Sequence, residues 1–239
     1  MIQYIPSGDS AFIVKTGIDI SVETNGDVRK LLHLIENENI GGIIDYIPSY
    51  NELMICYDPS IIGYKKLLKI LRSLAARLEE IELPESAVIH VPVLYGGEYG
   101  PDLQEVADHN HLKIEEVINI HHSATYLIYM IGFTPGFCYL GGMDQRIATP
   151  RKKTPRLEIP AGSIGIAGVQ TGIYSIVSPG GWQLIGQTPL RLFDPAIKPE
   201  FSFEAGDLIK FYPVSEGEFN GIEKDVIEGV YKVTRKNRV

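Results

Sequence analysis

Cysteine is scarce in this 239-residue chain, with two positions in all, Cys56 and Cys138. Two thiols cannot build a disulfide framework. Their number fits a reducing compartment, so a cytoplasmic location is expected. Cationic residues are also in deficit: 22 Lys and Arg stand against 30 Asp and Glu, a formal net charge of −8. That balance keeps the chain soluble and argues against general nucleic-acid binding, which runs on excess Lys and Arg. Long hydrophobic runs are lacking as well. The longest uncharged apolar stretch, Tyr126 to Phe133, falls far short of the roughly 20 residues that span a bilayer, so no membrane segment is expected. Met1-Ile-Gln-Tyr-Ile-Pro6 offers neither a basic region nor a continuous apolar one, and no signal peptide is expected.

What is present is an ordinary globular composition, 44% hydrophobic and 22% charged, able to bury a substantial core. The chain changes character near residue 85. Residues 1–85 hold six scattered glycines, whereas residues 132–186 hold eleven, well above a usual share of roughly 7%. The acidic run Glu79-Glu80-Ile-Glu82-Leu-Pro84-Glu85 suits a helix end and linker. Two domains follow, 1–85 and 86–239.

In the first domain, Ala11–Val14 reads as a strand. Val28, Leu31, Leu32 and Ile35 share one helical face, with Thr24 or Asn25 as candidate cap. Ile43–Ile47 and Leu53–Tyr57 read as strands. Pro59 sits where a second helix would start, and Leu67, Leu68, Leu71, Leu74, Ala75 and Leu78 form its apolar stripe. With Val88–Val93 as a last strand, the order β-α-β-β-α-β predicts a small α/β domain of ferredoxin-like type. The second domain opens with two short helices, about Asp102–His109 and Glu115–His121, the first with a capping-box spacing at Asp102 and Glu105. Short runs rich in Ile, Val, Tyr and Phe, punctuated by Gly and Pro, then predict a closed or sandwiched all-β body.

The densest motif is Ile131-Gly-Phe-Thr-Pro-Gly-Phe-Cys-Tyr-Leu-Gly-Gly142. Pro135-Gly136 signals a turn in which Gly136 takes positive φ. Glycines beside Phe133, Phe137 and Tyr139 suggest backbone approached by a ligand or partner; a tight hairpin that packs its own aromatics is the alternative. Residues 160–172 place glycines at 162, 165, 168 and 172, yet they lack the Lys-Ser/Thr of a phosphate loop and the helix of a dinucleotide fingerprint. Gln170 and Thr171 there could bond an amide or carboxylate, unless this is simply a glycine-bent barrel strand. In Arg151-Lys-Lys-Thr-Pro-Arg156, the two arginines are candidates to grip a carboxylate or phosphate, and the lysines read as solvated. Trp182 follows Gly180-Gly181 and either lines a groove or anchors the core. His109 and His111 lack a third ligand, so no metal site is expected. His121 ends a helix just before the glycine-rich motif. Cys138 lacks the electropositive setting of a nucleophile.

Together, Ile131–Gly142, Thr154–Arg156, Ile159–Tyr174 and Ser178–Gly186 resemble the signature of the B subunit of the bacterial 5-oxoprolinase complex, also called allophanate hydrolase subunit 1, a family that includes the KipI sporulation kinase inhibitor. The resemblance covers nearly the whole chain and is most specific in 121–195. It implies a cyclophilin-like β-barrel for the second domain and two partners from the same complex, its C (KipA-like) and A subunits. It also implies ATP-dependent opening of 5-oxoproline to glutamate, with ATP and its Mg bound by the complex rather than by this chain alone. On its motif positions fall His121, Arg156, Gln170 and Thr171, expected to be catalytic. Phe133, Pro135, Gly136, Phe137, Tyr139, Gly162, Tyr174 and Trp182, with Arg151 beside them, are expected to form a substrate or partner groove. Cys138, Ser175 and Gln187 depart from the Pro, Pro and Arg more usual in the family, and the last removes a cation. A second reading makes the chain a KipI-type inhibitor that grips a sporulation sensor histidine kinase through Phe133, Phe137 and Trp182.

Overall fold

A computed structural model describes residues 2–193 and 203–237. The chain divides into two compact units, Met1–Glu85 and Ser86–Val239.

The first unit runs β1 (Gln3–Pro6), β2 (Ala11–Lys15), α1 (Val22–Glu38), β3 (Ile43–Pro48), β4 (Glu52–Tyr57) and α2 (Tyr64–Ala75). Its four strands form an antiparallel sheet in the order β1-β2-β4-β3. Phe12 and Val14 of β2 with Leu53 and Ile55 of β4 alternate with half-buried residues and share one core with Leu31 and Ile35 of α1 and Leu67 and Leu71 of α2. This differs from the expected β-α-β-β-α-β order. The outer place beside β2 is taken by Gln3–Pro6, which pairs as a local hairpin, while Val88–Val93 belongs to the second unit. That segment is buried at most positions, as a strand covered on both sides must be. Two boundaries also differ. Ser21, not Thr24 or Asn25, caps α1, because its Oγ accepts from the Thr24 amide while Thr24 Oγ1 accepts from the Ser21 amide, closing a capping box. Pro59 lies in the turn in which the Ile61 and Ile62 amides donate to the Asp58 carbonyl, and α2 starts later, after Gly63.

The second unit comprises β5 (Ala87–Tyr95), α3 (Leu103–His109), α4 (Ile114–Ser123), β6 (Tyr126–Ile131), β7 (Cys138–Gly141), β8 (Arg156–Ile159), β9 (Ser163–Ala167), β10 (Gln170–Ile173), β11 (Ser178–Gly180), β12 (Gln183–Gln187), β13 (Leu208–Pro213), α5 (Glu216–Ile227) and β14 (Arg235–Asn237). Strands β12-β9-β10-β7-β6-β13-β5 form a sheet that closes where β5 meets β12. The result is the expected mainly β barrel, antiparallel throughout except for the β5–β13 pair. Strands β8 and β11 form a separate two-stranded piece.

The period of two along the strands sorts side chains onto two faces. Cys138 and Leu140 of β7, Ile164 and Ile166 of β9, Ile173 of β10 and Ile185 of β12 join a core that draws on every barrel strand, which marks the inner face. The intervening positions form a second cluster outside the wall, made by Phe137, Ala167, Tyr174, Trp182 and Leu184 with Ile159. Two glycines make that second cluster possible. A Cβ at Gly165 would lie 2.9 Å from the Trp182 Cβ, and one at Gly172 would lie 3.0 Å from both the Trp182 ring and the Cys138 carbonyl.

Gly165→Ala should therefore lower unfolding stability by about 1–3 kcal/mol in urea titrations, since nothing beside the new methyl can yield cheaply. Gly26→Ala, with open space around its Cβ inside α1, should raise it by about 0.5–1 kcal/mol. Equal responses would contradict this packing.

Candidate functional site

The outer cluster is centred on Phe137. Its ring meets those of Phe133 at 5.6 Å, Tyr139 at 4.9 Å, Tyr174 at 5.4 Å and Trp182 at 5.6 Å, all near edge-to-face. The turn Thr134–Phe137 places it there. The Phe137 amide donates to the Thr134 carbonyl at 3.1 Å, and Gly136 at φ +77° takes the left-handed position anticipated for it. The Ser175 hydroxyl donates to the Pro135 carbonyl and fixes the turn against the wall. Phe133 also has positive φ, +72°, and is 64% exposed. For a bulky side chain that backbone is strained by about 1–2 kcal/mol. Above these rings lies a hollow of about 370 Å³, walled on its far side by Pro155 and Pro179–Gly181. The Arg151 guanidinium stands at its rim, 6.0 Å from the Trp182 ring centroid. Tyr139 and Tyr174 line it with hydroxyls that burial pushes above their ordinary pKa, against the nearby Arg151 charge. They remain protonated donors at neutral pH.

His121 and Thr171 lie on the other side of β10. His121 is fully buried, stacked 4.8 Å from Phe211. Its Nδ1 is 2.8 Å from the Tyr95 hydroxyl and its Nε2 3.0 Å from Thr171 Oγ1. The Thr171 hydroxyl donates its single proton to the Gly165 carbonyl at 3.0 Å, so it can only accept from His121. The ring is therefore the Nε2–H tautomer, and Tyr95 donates to Nδ1. Burial, with a smaller contribution from the His122 charge, lowers its pKa to about 3. This neutral donor ties α4 to the barrel interior and does not reach the hollow.

Arg156 is likewise committed. Its Nη2 donates to Asp102 Oδ1 at 2.7 Å and its Nη1 reaches the Trp182 carbonyl at 3.5 Å. Asp102, 4% exposed, also receives Lys152 Nζ at 2.9 Å and the Leu184 amide at 2.7 Å. Burial raises the Asp102 pKa, but the hydrogen bonds from Arg156, Lys152 and Leu184 outweigh it and hold the carboxyl below its ordinary value. The expected Asp102–Glu105 capping box is absent for the same reason: Asp102 makes no side-chain cap, and Glu105 binds Lys152 at 2.8 Å and Gln183 at 3.1 Å.

Of the residues singled out in the sequence, Phe133, Phe137, Tyr139, Arg151, Tyr174 and Trp182 surround one hollow, and Pro135 and Gly136 shape its hairpin. Gln170, half-buried and itself engaged, shares the outer face with Gly172 without lining the hollow. Gly162, at φ +81°, sits where a Cβ would strike the Thr188 carbonyl, and its amide donates to the Tyr174 carbonyl at 2.7 Å. The glycines at 141, 165 and 172 make room for Tyr129 and Trp182 of the chain itself. Asp102 and Tyr95, which fix Arg156 and His121, carry no local sequence signal, because their partners lie 54 and 26 residues away.

Residues 2–203 match the carboxyltransferase domain, subdomains C and D. The chain belongs to this family. It is 45% identical to the B subunit of 5-oxoprolinase from Bacillus subtilis over 229 residues, 91% of this chain and 95% of that protein. It is 38% identical to the B subunit of 5-oxoprolinase from Escherichia coli O157:H7 over 214 residues, 88% of this chain and 95% of the other. The crystal structure of TTHA0988 superposes with a TM-score of 0.75 at 33% identity, over 90% of this chain and 40% of that one. The resemblance read in the sequence is thus what the comparisons give. No helix among the described residues is long and apolar enough to cross a membrane.

The depressed His121 pKa sets a sign for stability against pH. The unfolded chain takes up a proton near 6.5, whereas folded His121 does so only near 3. Folding is unaffected by this group above about pH 7 and loses about 1.4 kcal/mol per pH unit as pH falls from 6.5 toward 3. Urea titrations between pH 7 and 5 should show about one fewer proton linked to unfolding in His121→Gln than in the wild type. Identical slopes would place the imidazole in contact with water.

Proposed function

We propose that this chain is the B subunit of an ATP-dependent 5-oxoprolinase that opens 5-oxoproline to glutamate in the cytoplasm together with the C and A subunits, and that the outer hollow receives the lactam. The observation that carries this reading is Arg151 poised over the Trp182 ring at the rim of an otherwise aromatic hollow. 5-Oxoproline is a flat five-membered lactam bearing one carboxylate. Its ring matches the edges of Phe137 and Trp182, and a guanidinium fork matches its carboxylate. The names borne by relatives at 45% and 38% identity support the same reading.

A lactam resists hydrolysis because its nitrogen is a poor leaving group and its carbonyl carbon is deactivated by resonance. Phosphoryl transfer from ATP to the carbonyl oxygen, with release of ADP, would activate that carbon toward water; collapse of the water adduct would break the C–N bond, leaving the amine and an acyl phosphate whose hydrolysis releases phosphate. The residues here bind and orient. Among the described residues no carboxylate or imidazole lines the hollow, and its two tyrosines are donors rather than bases. The hollow itself thus holds no general base, which supports a chain inactive without its partners. Among the described residues the lining of the hollow offers no carboxylate to a magnesium ion. ATP with Mg is assigned to the assembled complex rather than to this chain alone. His121 and Thr171 are read as residues that position the wall, and Arg156 as the group that holds the 151–156 loop.

One observation favours inhibition of a sporulation sensor histidine kinase as a second reading. Phe133 is a strained, exposed aromatic at the rim of an apolar hollow, which suits a protein segment.

In a complex reconstituted with the A and C subunits, Arg151→Ala should raise the KM for 5-oxoproline at least about tenfold, the worth of one charge-assisted bond, with little change in kcat. An unchanged KM removes the lactam from this hollow. Arrest of kinase autophosphorylation by the chain alone would favour the second reading.

A further inference from the structure

A second hollow of about 450 Å³ adjoins the first, and Arg151 lines both. Its walls are the loop of residues 149–154 and the side of α3 that carries Glu105 and His109, with Gln183 between them. Three consecutive cations, Arg151, Lys152 and Lys153, line it against a single carboxylate, Glu105. Lys152 is spent on that carboxylate and on Asp102, at 2.8 and 2.9 Å. Among the described residues, neither Arg151 nor Lys153 has a carboxylate within ion-pair distance. Two unpaired positive charges thus share one concavity in a chain whose net charge is −8. Gln183 braces the loop from below: it is 3% exposed, and its Nε2 donates to Glu105 and to the Pro150 carbonyl, both at 3.1 Å, which fixes the start of the cationic run against α3.

We infer that this hollow binds the phosphate group of a small molecule, gripped by Arg151 and Lys153. Charge selects phosphate over carboxylate. Hydrogen phosphate is a dianion, which answers two unpaired cations; a monocarboxylate answers one. The site does not depend on the lactam reading. If that reading holds, Arg151 stands between the lactam and a phosphate, where a reaction that releases phosphate would leave it.

The test uses the full-length chain without partners or 5-oxoproline, so its outcome is separate from that of the 5-oxoprolinase reading. Inorganic phosphate is titrated at constant ionic strength set with chloride, and the phosphorus-31 resonance is followed. A saturable shift and broadening is expected, with affinity at least tenfold weaker in Lys153→Gln and in Arg151→Gln. Acetate at the same concentration should not compete. Lys153 lies on an exposed loop, so loss of folding will not mimic the effect. Phosphate binding of wild-type strength in Lys153→Gln, equal competition by acetate, or no saturable response in the wild type would each overturn the assignment.

Discussion

The arrangement depends on the pleat of one strand. Along β10, Thr171 points into the barrel and Gly172 points out. Thr171 there bridges the His121 imidazole and the Gly165 carbonyl, while Gly172 leaves the space that the Trp182 ring occupies. A shift of one residue would exchange these faces, burying the glycine and driving a hydroxyl into the aromatic cluster. Register is held by pairing on both sides, to β9 and to β7. The polar chain Tyr95–His121–Thr171 satisfies every donor it brings into the core, so it specifies the register at little cost.

Arg156 and Asp102 do the corresponding work for the loop outside. The carboxylate receives two cations and a backbone amide, and breaking such a partly buried set costs far more than the pair contributes on the surface. Because Lys152 and Arg156 are drawn to Asp102, the loop between them is held against β12. Arg151, next to Lys152, is thereby left over Trp182. Two of the four cations serve the architecture, and the other two carry the proposed binding roles.

Much of this was legible. The Pro135-Gly136 turn, the aromatic neighbourhood of Phe133, Phe137 and Tyr139, and the barrel itself follow from local patterns that need no distant partner. What the sequence could not reveal lies on long-range contacts. His121 stands next to the glycine-rich motif in the chain, yet the helix carrying it packs on the interior. Nothing local distinguishes an imidazole bonded to Thr171 from one facing a substrate. Arg156 reads as a free cation until Asp102, 54 residues earlier, is brought beside it. The glycines at 165 and 172 were consistent with either a ligand or an indole above them, and the indole belongs to the chain. The first unit went astray by one strand for a similar reason: Val88–Val93 suits any sheet, and only the closure of the barrel decides which one.

The central claim is that the ligand-facing chemistry lies outside β10 and the histidine chemistry inside it. Nitrogen-15 NMR of the complex assembled with the A and C subunits, labelled only in this chain and titrated with 5-oxoproline, tests that division most directly. The account predicts that the Trp182 indole N–H shifts in proportion to occupancy while the His121 Nε2–H stays in place and slow to exchange. A His121 resonance that moves while Trp182 stands still would contradict it.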